Sequence, residues 1–117
     1  MSKPTLFDLL NEYSRDGIRF GESIGRIRKG LLDSMIIYEE FLFWRNPERR
    51  RPKCEIYDSL AERYGYSISS IRNKITQMAD TNYPPEVVNE VKFFFLHLHL
   101  KEKHKQSAQF DVEESEL

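Results

Sequence analysis

Residues Leu60–Ile75, LAERYGYSISSIRNKI, decide how this chain is read. Leu60 and Ala61 lie four and three residues before Tyr64, which places the three on one face of a helix. Gly65 follows, where the chain must leave that helix through a left-handed conformation that glycine adopts without strain. Ser67 suits an N-cap, because its hydroxyl can accept a hydrogen bond from a free amide in the first turn of a second helix. Ile71 falls where that helix turns back onto Ala61, whose small side chain lets the two cross closely. The segment predicts two short helices packed at a fixed angle.

This arrangement resembles the helix-turn-helix of bacterial transcription regulators, phage activators and transposase DNA-binding domains. In those domains a small residue, a turn glycine and an inward aliphatic are spaced as Ala61, Gly65 and Ile71 are here. The resemblance is limited to residues 56–78 and implies a module that binds double-stranded DNA through its second helix. One position departs from the pattern. Lys74 stands where such motifs place a second buried aliphatic, and Ile75 is expected to take that role by a slight rotation of the helix.

With Ile71 and Ile75 inward, Ser69, Arg72, Asn73 and Thr76 face outward, and Ser70, Lys74 and Gln77 lie near the edge. Together with Ser67 they form the candidate base-reading set. Arg can pair with guanine through two hydrogen bonds in the major groove, Asn or Gln can do the same with adenine, and Ile68 could touch a thymine methyl. The same polar residues would equally suit the plain solvated side of an amphipathic helix.

Charge placement adds weight to the nucleic-acid reading. The whole chain has a formal net charge of -1, which by itself favours no partner. Residues 45–78, however, hold 8 basic and 4 acidic side chains, whereas residues 1–44 hold 6 and 7. A phosphate backbone would meet this excess. Most of it comes from Arg45, Arg49, Arg50, Arg51 and Lys53 in WRNPERRRPK, the candidate phosphate contacts. Pro47 and Pro52 bracket this run and disfavour helix in the residues before them, so a loop or very short turn is expected. Guanidinium groups there could clamp phosphates and set the register of the next helix. An Arg-rich connection can also contact RNA or simply be soluble, and Glu48, Glu55 and Asp58 could neutralise part of it.

The flanks read as supporting helices. Thr5 and Asp8 give a capping-box signal, and Leu6, Phe7, Leu9, Leu10 and Tyr13 form the apolar side of a short helix that Asp16 and Gly17 are expected to end. Ile24, Ile27, Leu31, Met35, Tyr38 and Leu42 predict one longer helix from Glu22 to Trp44, weakened at Gly25 and Gly30. Its apolar residues cover more than one face beyond Met35, which suits a buried core helix or, in its heptad-like stripe, a dimer seam. DTNYPP is a connection, and Pro84, Pro85 and Glu86 open another helix toward Lys101. That helix carries Val87, Val88, Val91, Phe94, Phe95 and Leu98 on its apolar side. FFFLHLHLK alternates well enough to be a strand instead.

The predicted fold class is thus all-α: one helical domain of about five helices over residues 1–105, the helix-turn-helix spanning residues 54–78, and a mobile acidic tail over residues 106–117. No run of 18 or more apolar residues occurs, the N-terminus lacks a signal-peptide pattern, and Cys54 has no partner for an internal disulfide. A soluble cytoplasmic protein with no membrane contact is the expectation. His97, His99 and His104 are not spaced for one helical face, so no metal is expected, and no cofactor loop or nucleophile motif occurs. Binding without catalysis follows. The expected function is sequence-specific double-stranded DNA binding, as a transcription regulator or mobile-element accessory. A homodimer through the Glu22 to Trp44 or Glu86 to Lys101 helix would supply two half-sites. The alternative is a protein-protein interaction module of the same fold that uses the aromatic C-terminal helix.

Overall fold

The computed structural model describes residues 3–98, which form six helices and no strand. Five are α1 (Leu6–Leu10), α2 (Arg15–Ser23), α3 (Leu31–Arg45), α4 (Lys53–Tyr64) and α5 (Ile68–Ala79). The sixth, α6, covers residues 85–98 and replaces the strand alternative over its described part. The acidic segment 106–117, His99, His104 and Lys101 lie outside the described residues.

The first two helices start for local reasons. Thr5 and Asp8 form a reciprocal capping box at α1, with Asp8 N–H donating to Thr5 Oγ1 at 3.1 Å and Thr5 N–H to Asp8 Oδ2 at 3.0 Å. Ser14 caps α2 by accepting from the Gly17 amide at 3.0 Å. Asp16 and Gly17 therefore lie inside a second helix, where the sequence suggests the end of the first. A serine cap three residues earlier outweighs the helix-breaking tendency of Gly17, because the first turn of a helix tolerates glycine.

The expected single helix from Glu22 to Trp44 is two helices. Gly25 and Gly30 both take positive φ, 74° and 90°, and the backbone turns between them. The apolar period survives the break because Ile27, in the turn itself, is buried at 2% exposure. Gly30 has no side chain to cap α3. The Glu22 carboxylate of α2 does so instead, accepting from the amides of Gly30 at 2.7 Å and Leu32 at 3.3 Å. A carboxylate at a helix N-terminus also meets the positive end of the helix dipole.

Helix α3 is the centre of the packing and lies most extensively against α5 and α4. Met35, Ile37, Tyr38 and Phe41 of α3, Ile56 and Leu60 of α4, Ile71, Ile75 and Met78 of α5, and Val87 and Val91 of α6 share one hydrophobic core with Leu6, Leu10 and Ile18. Full burial of each such side chain stabilises the fold by about 1.5–3 kcal/mol. Helix α6 closes the far side through two glycines one turn apart on α2. A Cβ on Gly17 would stand 2.5 Å from the Phe95 ring, and one on Gly21 would stand 2.5 Å from Ile27 and 3.1 Å from Phe94.

Polar contacts fix the α4–α5 pair on α3. Asp33 and Glu40 lie two turns apart on one face of α3. Asp33 accepts from the Tyr66 hydroxyl at 2.8 Å, while Glu40 accepts from the Tyr64 hydroxyl at 2.9 Å and pairs with Arg63. Both tyrosines flank Gly65, whose φ of 72° ends α4 with its amide bonded to the Ala61 carbonyl. The turn between α4 and α5 is thereby held from both sides.

Candidate nucleic-acid interface

Ser67 begins α5 in the expected way, accepting from the Ser70 amide at 3.1 Å and donating its own proton to Ser70 Oγ at 3.0 Å. The Ser67 hydroxyl thus both accepts and donates within the cap. One face of α5 is sealed, with Ile71, Ile75 and Met78 at 0%, 6% and 0% exposure. Ser69, Arg72, Asn73 and Thr76 are exposed on the other face, and Ser70, Lys74 and Gln77 are half-buried along its margin. Ile75 takes the inward position beside Ile71, and Lys74 is rotated to the rim. Ile68 is also exposed, at 46%, in the first turn.

The rim residues have company that sequence spacing hides. Lys74 Nζ lies 4.6 Å from the centre of the Tyr66 ring. Lys74 and Gln77 also line a small cleft of about 90 Å³ with Arg28, Lys29 and Gly30. Periodicity places Arg28 and Lys29 in the interior of a continuous helix, where nothing suggests proximity to α5. The turn between the two glycines brings them there. Arg28 is held by Glu90 of α6, which accepts from its backbone amide at 2.6 Å and its guanidinium at 3.0 Å.

Arg72 reaches an aromatic ring of α4. Its guanidinium carbon is 5.8 Å from the Tyr57 ring centre, and Tyr57 stacks on Phe41 at 5.9 Å and 9°. Tyr57 belongs to α4, whose first turn carries Glu55 at 4.0 Å from Arg51.

The loop over residues 46–52 is built by its own side chains. Asn46 accepts backbone hydrogen bonds from Arg49 at 2.9 Å and Arg50 at 3.0 Å, and its side chain accepts from the Glu48 amide at 3.0 Å. Arg50 adopts a φ of 46°, a left-handed conformation that costs a side-chain-bearing residue about 1–2 kcal/mol. Three guanidinium groups return to backbone carbonyls: Arg45 to Arg51 at 3.2 Å, Arg49 to Phe43 at 3.3 Å and Arg50 to Pro47 at 2.9 Å. Arg49 also lies 3.7 Å over the Phe43 ring and Arg51 lies 4.7 Å over the Trp44 ring. Phe43 and Trp44 meet edge to face at 5.0 Å. Lys53, the last of the five candidate phosphate contacts, is exposed at the first position of α4. The charges of this run are plain in the sequence, whereas the two rings beneath them are not, because the apolar pattern of α3 assigns both to the core.

Elsewhere, an apolar groove of about 610 Å³ runs between the end of α2 and α6, lined by Phe20, Ile24, Phe93 and Phe94 among others. Among the described residues, no group of three or more His, Cys, Asp or Glu is placed to hold a metal ion, and no helix is long and apolar enough to cross a membrane. Compared with protein-family models, with curated proteins and with solved structures, the chain matches none of them.

Proposed function

We propose that this protein binds double-stranded DNA in a sequence-dependent manner, as a regulator of transcription or an accessory of a mobile element, without catalysis. In this reading α4, the Gly65 turn and α5 are a helix-turn-helix. The observation that carries it is the exposure of Ser69, Arg72, Asn73 and Thr76 as one polar face on a helix whose opposite face is fully buried. At 12 residues α5 is about 18 Å long, a length and width that the major groove admits. Arg72 and Asn73 would read base edges, and Ile68 a thymine methyl. Arg45, Arg49, Arg50, Arg51 and Lys53, together with Arg28 and Lys29, would hold phosphates. The test is fluorescence anisotropy with a random-sequence duplex pool at low and moderate salt. Binding that weakens steeply with salt is expected, and no binding at low salt overturns the proposal.

A second reading is favoured by Phe93 and Leu96, which are 67% and 51% exposed on α6 beside the groove at Phe20 and Ile24. Such a face suits protein contact, and the occupant that fits the first reading is a second copy of this chain, because paired modules on two half-sites supply the contacts that one lacks. The break at residues 24–30 confines the other expected seam, along a continuous Glu22 to Trp44 helix, to α3.

A further inference from the structure

The loop after α3 carries more than charge. Five basic residues and one acidic residue lie within positions 45–53, and two of the guanidinium groups lie over exposed or half-exposed rings. Phosphate attraction needs only the charges. It does not need Phe43 at 48% exposure, nor a guanidinium 3.7 Å above it, nor Leu42 exposed at 43% beside it. A duplex hides its base faces within the stack, so a ledge of rings and flat cations has nothing to stack on there. Unpaired bases offer their π-faces, and every base can stack on an aromatic ring or a guanidinium plane.

We infer that this ledge, Phe43–Arg49 and Trp44–Arg51, binds single-stranded nucleic acid by stacking unpaired bases while the neighbouring arginines meet its phosphates. The contact is separate from α5 and stands whether or not α5 reads a duplex. The loop is prepared for it. Carbonyl contacts from Arg45, Arg49 and Arg50 and the turn on Asn46 fix its shape beforehand, which lowers the ordering cost of binding. A protein with both surfaces would prefer a duplex that borders a single strand, the form DNA takes when a helix is being opened or joined.

Trp44 is the chain's one tryptophan, so its emission reports on this ledge alone. Titrating the full chain with an oligothymidylate of about 12 nucleotides, within the span of small single-strand sites, should quench that emission to saturation. Phe43→Ala should weaken single-strand binding by about tenfold while changing affinity for a flush duplex little. Arg49→Lys keeps the charge and removes the plane, and should weaken single-strand binding by about fivefold. Both positions are exposed, and unchanged circular dichroism checks that the variants fold. Emission that oligothymidylate leaves unchanged overturns the inference. So does an Arg49→Lys protein that binds as tightly as the native one, or a Phe43→Ala effect that is equal for single strand and duplex. A shift of Trp44 emission by phosphatidylserine vesicles and not by oligothymidylate would assign the ledge to an anionic membrane surface instead. Absence of duplex binding with quenching intact would overturn the function proposed for α5 and leave this inference standing.

Discussion

The Tyr66 hydroxyl donates to Asp33 Oδ2 at 2.8 Å, tying the turn between α4 and α5 to the first turn of α3. The hydrogen bond to Asp33, with smaller contributions from burial and from nearby carboxylate charge, raises the Tyr66 pKa above its ordinary value of 10.0. Tyr64 is raised as well, first by burial and then by its bond to Glu40. A raised pKa in the folded state means that the neutral phenol is the stabilised form. The contribution is therefore complete below the unfolded value near 10 and disappears as pH rises through the folded value. Chemical denaturation should show stability level from neutral pH to about 9 and falling beyond 10. Tyr66→Phe should lower the neutral-pH stability and flatten that alkaline fall.

Arg72→Ala and Asn73→Ala should each reduce preference for a selected duplex by about 1–3 kcal/mol, with little effect on binding to unrelated DNA. Replacing Arg49, Arg50 and Arg51 together by Ala should instead weaken binding to every duplex. It should also reduce the slope of log affinity against log salt by about one for each phosphate no longer neutralised. Titrations of both variants at several salt concentrations separate the two effects.

Ile71 is fully buried where α5 meets the core, and Ile71→Ala should destabilise the fold by about 2–5 kcal/mol. Urea unfolding measures this. Gly65→Ala provides a contrast: nothing lies within 4 Å of the added Cβ, so only its left-handed φ of 72° is strained, at about 1 kcal/mol.

Gly17→Ala should be more costly than an alanine in a helix usually is. The new methyl would enter the space of the Phe95 ring, and overpacking of this kind costs about 1–3 kcal/mol. Phe95→Leu in the same protein should recover part of that stability. A stabilised Gly17→Ala protein in thermal unfolding would show that α6 does not seat on α2 in this way.

Phe93→Glu tests the self-association reading. If the α6 face joins two copies, the native chain sediments as a dimer and the variant as a folded monomer. A native monomer at high concentration removes that reading.

The parts of this fold that are legible in the sequence are those set by near neighbours. The Thr5–Asp8 box, the Ser67 cap, the Gly65 exit and the sealed Ile71–Ile75 face each depend on residues within one or two helical turns. What periodicity hides is the bend at residues 24–30, since Ile24, Ile27 and Leu31 keep helical spacing across a turn that two left-handed glycines create. Gly17 misleads for the opposite reason. Its glycine identity serves a ring 78 positions later, a contact that no local rule can signal. The polar face of α5 is legible as a set of positions, whereas Arg28 and Lys29 reach its rim only through the turn between α2 and α3, and Phe43 and Trp44 come to lie beneath Arg49 and Arg51 only once the loop after α3 is folded.

Glu22 belongs to a helix that has already ended when α3 begins, yet its carboxylate satisfies the first amides of α3. The opening turn of α3 is thus not encoded in the α3 segment at all. An excised peptide of that segment would fray from its front, and in the whole protein the amide protons of Gly30 and Leu32 should exchange in step with the unfastening of α2.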